Sequence, residues 1–373
     1  MMNTGKIAVA GLGLIGGSLV KTIKRKHPDT VIYGIGREDG SAGEALRDGT
    51  ADEIFPELTP EILDCDILFL CAPIPVNIKF IERLSQMRKD AGERSHFPII
   101  TDVSSIKKQI HSAVDEYGLS DTFIGGHPMA GTEKTGYRNS QDHLLENVYY
   151  IVTPTDDTDD TVLSEFTEYL KGLDVIPVTL SVSDHDFATA CVSHVPHIIS
   201  AGLVNLVRNN DTPDHVLKAI AAGGFKDITR ISSSSSAMWT AVSEGNSEKI
   251  LPVLDEYIES LKQIKREIEA SDTGALSNYF ENAKEYRDSI ETRHGGVIPS
   301  SFGLFCDVVD EEGEIATIAT RLATHHISIK NIGIVHNREF ENGALSIEFY
   351  DQKALDEATE LLKKFRYTVY ERN

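Results

Sequence analysis

The chain is poor in sulfur: four cysteines in 373 residues, Cys65, Cys71, Cys191 and Cys306, are scattered without a CxxC spacing. That excludes a disulfide framework and argues against structural zinc, and it suits reduced thiols in a cytoplasmic protein. Basic charge is scarce as well. Lys and Arg number 36 against 58 Asp and Glu, a formal net charge of -22, so nucleic-acid backbones and anionic membranes are repelled at long range. Neither nucleic acid nor membrane is an expected partner, although a few local Arg and N–H groups can still hold a small anion in a pocket. No apolar run approaches the roughly 18 residues of a membrane span. The first apolar stretch, near Val9, has no basic lead or cleavable small-residue site before it, so the expected location is the cytoplasm. What is present is ordinary for a globular protein, 40% hydrophobic and 25% charged, and the length calls for two or three domains.

Apolar strands are expected at 6–10, 31–35, 67–71, 99–103 and 149–153, alternating with helical patterns such as 77–87 and 106–117. Such alternation implies a parallel, doubly wound α/β sheet over 1–178. From about Val178 strand signals stop, and helices over 184–207, 214–220 and 247–269 define an all-helical block, 179–293. Its apolar positions exceed one narrow stripe, as in a buried helix that a dimer interface can cover. Paired glycines and a proline within 291–299 mark a linker. Over 300–373 the order is strand, helix, strand, strand, helix, strand, a ferredoxin-like βαββαβ pattern.

Gly11, Gly13 and Gly16 form a GxGxxG that follows a strand and opens a helix through Leu14 and Ile15, the context in which backbone N–H groups cradle a pyrophosphate. The acidic ribose ligand expected about 20 residues on is absent. Gly36-Arg37-Glu38-Asp39 stands there, where Arg37 can hold a 2′-phosphate or be a solvated loop charge, and Glu38 can bind a free ribose. The choice between NAD and NADP stays open. Strand ends that should line the same cleft carry Cys71 and Pro73, then Asp102 through Ser105, then Gly125 to Glu133. In the last segment His127, in a glycine loop, is a candidate base or hydrogen-bond donor. Ser104 and Ser105 have helix capping as their alternative role. His194 and His197 share a helix face around Pro196; no carboxylate or cysteine repeats their spacing, so substrate-binding or core histidines are expected and no metal site is. Arg230, after Gly223 and Gly224, can grip a carboxylate bidentately or serve as a surface ion pair. The runs 156–160 and 232–236 read as loop or helix-start segments.

Taken together, Gly11–Ser18, Asp102–Lys107, Gly126–Glu133, Ser193–His197 and Gly224–Arg230 resemble, in order and spacing, the prephenate dehydrogenases. The resemblance covers the dinucleotide and helical domains, and the tail from Ser301 resembles the ACT domain appended in many bacterial members. It implies a Rossmann domain, a helical dimerisation domain and an ACT domain. It further implies oxidative decarboxylation of prephenate to 4-hydroxyphenylpyruvate with NAD, NADP remaining open at Gly36-Arg37. By motif, His127 is implied as the catalytic histidine assisted by Ser105. Arg230, His197 and His194 are implied substrate ligands, Glu133 a gating residue, and Trp239 a neighbour of the substrate site across a homodimer. Asp310 and Gly313 match the ACT ligand loop, with tyrosine as the implied effector. Arogenate dehydrogenase is the rival enzyme, and a non-catalytic sensor of dinucleotide and tyrosine the rival outside enzymes.

Overall fold

A computed structural model of the chain describes residues 4–92, 96–131, 134–290, 302–308, 313–335 and 343–371. They belong to two compact units, 1–296 and 297–373. The expected linker at 291–299 lies outside the described residues.

The first unit is built on eight strands: β1 (Lys6–Ala10), β2 (Val31–Ile35), β3 (Glu53–Phe55), β4 (Ile67–Leu70), β5 (Ile99–Asp102), β6 (Phe123–Pro128), β7 (Tyr149–Pro154) and β8 (Ile176–Thr179). Their order in the sheet is β3-β2-β1-β4-β5-β6-β7-β8. Strands β1 to β6 are parallel. Ile7 and Val9 face one core while Ala8 and Ala10 face the other, because a strand covered on both sides sends alternate residues to opposite faces. Helices α1 (Leu14–Lys26), α2 (Ser41–Arg47), α3 (Ile74–Ala91) and α4 (Lys108–Glu116) supply the cover. Strand order reverses direction between β1 and β4, which opens a crevice at their carboxyl ends.

The expectation of a wholly parallel sheet is corrected at β7, which runs antiparallel to β6. Among the described residues between them there is only a single-turn helix, Tyr137–Asn139, and a parallel return needs a longer crossover. Helix α5 (Asp160–Gly172) provides one for β8, which is parallel to β7. Asp159 caps α5 by accepting from Thr161 N and Val162 N, so the acidic run is a helix start. The glycine segment at 125–128 is strand rather than loop. A Cβ on Gly125 would lie 2.2 Å from Thr153 Oγ1 and one on Gly126 2.5 Å from the Tyr150 hydroxyl, so only glycine lets β6 and β7 close here.

From Val182 the unit is helical: α6 (Val182–Thr189), a π-helical turn at Ala190–His194, α7 (Val195–Asn210), α8 (Val216–Ile220), α9 (Gly223–Thr229), α10 (Ser236–Gly245), α11 (Ser247–Glu269) and α12 (Thr273–Ser289). The rod Val182–Asn210 is continuous, and by length and composition alone it could cross a membrane, which corrects the expectation that no such stretch exists. It buries His185, Asp186 and His194, which are hydrogen-bonded within the unit, and His197, which stacks on Trp239, while Phe187, Val192 and Leu206 on the same rod are exposed. The wide turn has a local cause, since Pro196 offers no N–H to the preceding turn and its ring crowds the carbonyl four residues back.

The second unit comprises β9 (Phe302–Val308), α13 (Glu314–Thr324), β10 (Ile329–Val335), β11 (Gly343–Phe349), α14 (Gln352–Lys364) and β12 (Val369–Glu371). Its antiparallel sheet has the order β10-β11-β9-β12, the ferredoxin-like arrangement. Leu304, Cys306, Leu345 and Ile347 from the sheet pack against Ile318, Leu322, Ala358 and Leu362 from the helices.

Candidate active site

The glycine turn lies against the end of β4. Gly11 has φ +97, and a Cβ on it would lie 2.8 Å from the Ala72 nitrogen; one on Gly16 would meet the Gly11 carbonyl at 2.2 Å. Gly13, by contrast, has nothing within 4 Å. The first and third glycines therefore let the turn close, and the second leaves its backbone bare toward the crevice, where a pyrophosphate can approach the start of α1. No acidic side chain occupies the first turn of α1. Leu14, Ile15 and Cys71 are half-buried around this opening and Pro73 is exposed at its rim. Arg37 is 82% exposed and paired with Asp39 at 3.3 Å.

Asp102 closes β5, at the carboxyl end of the sheet. It is fully buried, its carboxylate accepting from Lys107 Nζ at 2.7 and 2.6 Å, Ser104 N at 3.0 Å and Gly126 N at 3.2 Å. Lys107, equally buried, also donates to the Gly126 carbonyl at 2.5 Å. This ion pair clamps the end of β5 to β6 just before His127, so the side chain of Asp102 holds the two strand ends together. Ser104 does not cap α4; its hydroxyl accepts from Asn77 Nδ2 at 3.2 Å. Ser105 stays half-buried in the loop above.

His127, next to last in β6, is half-buried, its Nδ1 2.8 Å from His185 Nε2 on α6. His185 Nδ1 lies 2.8 Å from Asp186 Oδ1. The Asp186 carboxylate in turn accepts from the backbone of Lys107 at 2.8 Å and Lys108 at 3.0 Å, capping α4 from another element. Burial, then the neighbouring His185, Lys107 and His194, hold the His127 pKa well below its ordinary value, so at neutral pH it is an uncharged acceptor. Burial alone would push Asp186 up, but the bond from His185 and the two backbone donors outweigh it and keep the carboxyl low.

His194 and His197 are buried on the same rod. Asn246 Nδ2 reaches His194 Nδ1 at 3.1 Å and the Asp186 carbonyl at 2.8 Å. Trp239 of the same chain stacks on His197, centroids 3.5 Å apart and 16° from parallel, with His194 at its edge. Arg230 is exposed at the end of α9, and its segment is tied to α7 through Ser200, which bonds the Ile228 carbonyl at 3.1 Å and Ser232 at 2.7 Å. Glu133 and Asp310 lie outside the described residues. Gly313, at the start of α13, has φ +91 and open space around it. Sequence reading passed over His185, Asp186, Asn246 and the buried role of Lys107; the His-Asp pair opening an apolar helix was the one available signal.

A dinucleotide crevice with a neutral histidine beside it, fed by a histidine-rich helical half, defines an oxidoreductase of the dinucleotide-dependent dehydrogenase class. Models of the prephenate dehydrogenase nucleotide-binding domain and dimerization domain match residues 19–178 and 181–282. A prephenate dehydrogenase of Bacillus subtilis (strain 168) is 37% identical over 95% of this chain and 95% of its own length. Among solved structures, a prephenate dehydrogenase from A. aeolicus in complex with hydroxyphenyl propionate and NAD+ superposes with a TM-score of 0.70 at 28% identity, covering 78% of this chain and 99% of that one. Synechocystis arogenate dehydrogenase gives 0.67 at 29% identity, with 77% and 100% covered. The chain belongs to the prephenate dehydrogenase family.

Proposed function

We propose that the protein is an NAD-dependent prephenate dehydrogenase, carrying out the oxidative decarboxylation of prephenate to 4-hydroxyphenylpyruvate. The observation that carries this reading is His127, held neutral where the dinucleotide crevice meets the helical half, with Nδ1 committed to His185 and Nε2 left for substrate. NAD, held by Gly11, Gly13, Leu14, Ile15 and Gly16, supplies the hydride acceptor. His127 takes the ring hydroxyl proton as the hydride departs from the same carbon, with Ser105 assisting, and the proton returns to oxygen once carbon dioxide leaves and the ring aromatises. Arg230, His197 and His194 orient the dianion.

Use of NAD rather than NADP is favoured by the pairing of Arg37 with Asp39, a carboxylate that competes with a 2′-phosphate for the guanidinium. A homodimer is favoured by the apolar side chains that the helical half exposes, Leu206, Leu251, Ile268 and Phe280 among them. Four free thiols suit the cytoplasm. The second unit is read as an ACT domain sensing tyrosine, because it has the βαββαβ order and a left-handed glycine opening its first helix. Arogenate is the alternative substrate, favoured by the likeness to the Synechocystis enzyme.

The test is reduced-nicotinamide production from prephenate and from arogenate, each with NAD and NADP, with and without tyrosine. Turnover of prephenate with NAD, weakened by tyrosine, is the expected result; turnover of arogenate alone overturns the substrate. His127→Asn should lower kcat by about 10²-fold or more with KM little changed, the scale of acid–base assistance.

A further inference from the structure

The bonds behind His127 form a directed chain. Asp186 is the fixed end: a carboxylate can only accept, and it already takes Lys107 N and Lys108 N. The His185 nitrogen 2.8 Å from it must therefore carry hydrogen. In a neutral ring this leaves His185 Nε2 bare, so the contact at 2.8 Å requires a hydrogen on His127 Nδ1. His127 Nε2 is then bare in its turn.

We propose that His185 and Asp186 are positioning residues that fix the proton of His127 on Nδ1, so that Nε2 is preset as the base before substrate arrives. A doubly protonated His185 would reverse the last link. Burial opposes that form, with the Lys107 ammonium on the same side, against the bond that His185 donates to Asp186, and the balance holds His185 below its ordinary pKa. The groups facing His127 are His185 and His194 from the helical rod and Lys107 from the start of α4, with Asp186 acting through His185 and Asp102 through Lys107.

The helical rod is shaped for this purpose. On a regular helix His185 and His197 would be about 120° apart around the axis, since each residue advances about 100°. One residue added at a π turn reduces that to about 20°. The turn at Ala190–His194 falls between them, and both rings are buried. One helix face can thus present the ring that backs the base together with the ring stacked on Trp239.

The proton balance is closed. The hydroxyl proton moves from substrate oxygen to Nε2, Nδ1 keeps its own and shares it with His185, and the first proton returns to the phenolate oxygen when the bond to carbon dioxide breaks. Asp186 steadies the transient imidazolium without being protonated, which is the role a carboxylate behind a histidine base can fill.

This inference rests on the function proposed above, and its first test needs no turnover. Nitrogen NMR of the full chain with 15N-labelled histidine at pH 7, assigned with His127→Asn and His185→Gln, should show His127 neutral, with Nδ1 protonated and Nε2 bare. Hydrogen on Nε2, or a charged ring, overturns the proposal whether or not prephenate is a substrate. The second test is kinetic. Asp186→Asn and His185→Gln should lower kcat about tenfold or more at nearly constant KM for prephenate. Asp186→Asn should also move the acid limb of kcat/KM to lower pH, because the imidazolium loses its carboxylate. Loss of folded enzyme with the limb unmoved, and the His127 resonances of the folded fraction unchanged, would show a merely structural role and overturn it.

Discussion

The two compact units bury different things. The first encloses a polar seam as well as apolar cores: Lys107, Asp102, His111, His185, Asp186, His194, His197 and Asn246 are all out of solvent. Among the described residues of the second unit, Thr359 is the one buried polar side chain, against an apolar sheet and two helices. Charge in a core is expensive and persists where it orients something. The first unit therefore carries chemistry in its interior, whereas any ligand of the second must be met at its loops and edges.

Breaking the seam should have the largest effect. Lys107→Met leaves Asp102 buried without its partner, and urea unfolding should report a loss of about 3–5 kcal/mol in the first unit. An apolar truncation gives the contrast: Leu345→Ala in the second core should cost that unit about 2–5 kcal/mol and, on the proposed role of that unit, remove the inhibition by tyrosine, while prephenate turnover without tyrosine persists.

Acid should also separate the two. Burial lowers the pKa of His111 to about 4 and of His194 to about 4. Between the unfolded value near 6.5 and those folded values the unfolded chain binds more protons, so stability falls as pH drops, by about 3 kcal/mol per histidine at the lower end. The described histidines of the second unit, His325 and His326, are exposed, and its transition should stay flat over that window in a pH series of melts. The smallest effect belongs to the crevice. Gly13→Ala places a methyl in open space, so stability should hold while the KM for NAD rises about tenfold, which steady-state kinetics checks. Gly16→Ala, whose methyl would strike the Gly11 carbonyl, should instead disturb the fold.

The sequence by itself determined the local features. A strand, a glycine turn and an apolar helix announce a dinucleotide crevice because each is set by neighbouring residues, through φ at Gly11 and the hydrophobic period of α1. The helix Ser247–Glu269 and the βαββαβ order of the tail were legible for the same reason. His127 stood out beside glycines that turn out to be needed for β6 to meet β7. Only the tertiary structure decided the rest. The reversal of β7 goes with the short path back from β6, which among the described residues holds a single-turn helix, and the burial of Asp102 depends on a lysine five residues on folding back beneath β6. The seat of Asp186 depends on donors 78 and 79 residues away. Periodicity records which face of an element is wet, whereas a buried polar contact is fixed by which elements meet, and that is settled only when the whole unit closes.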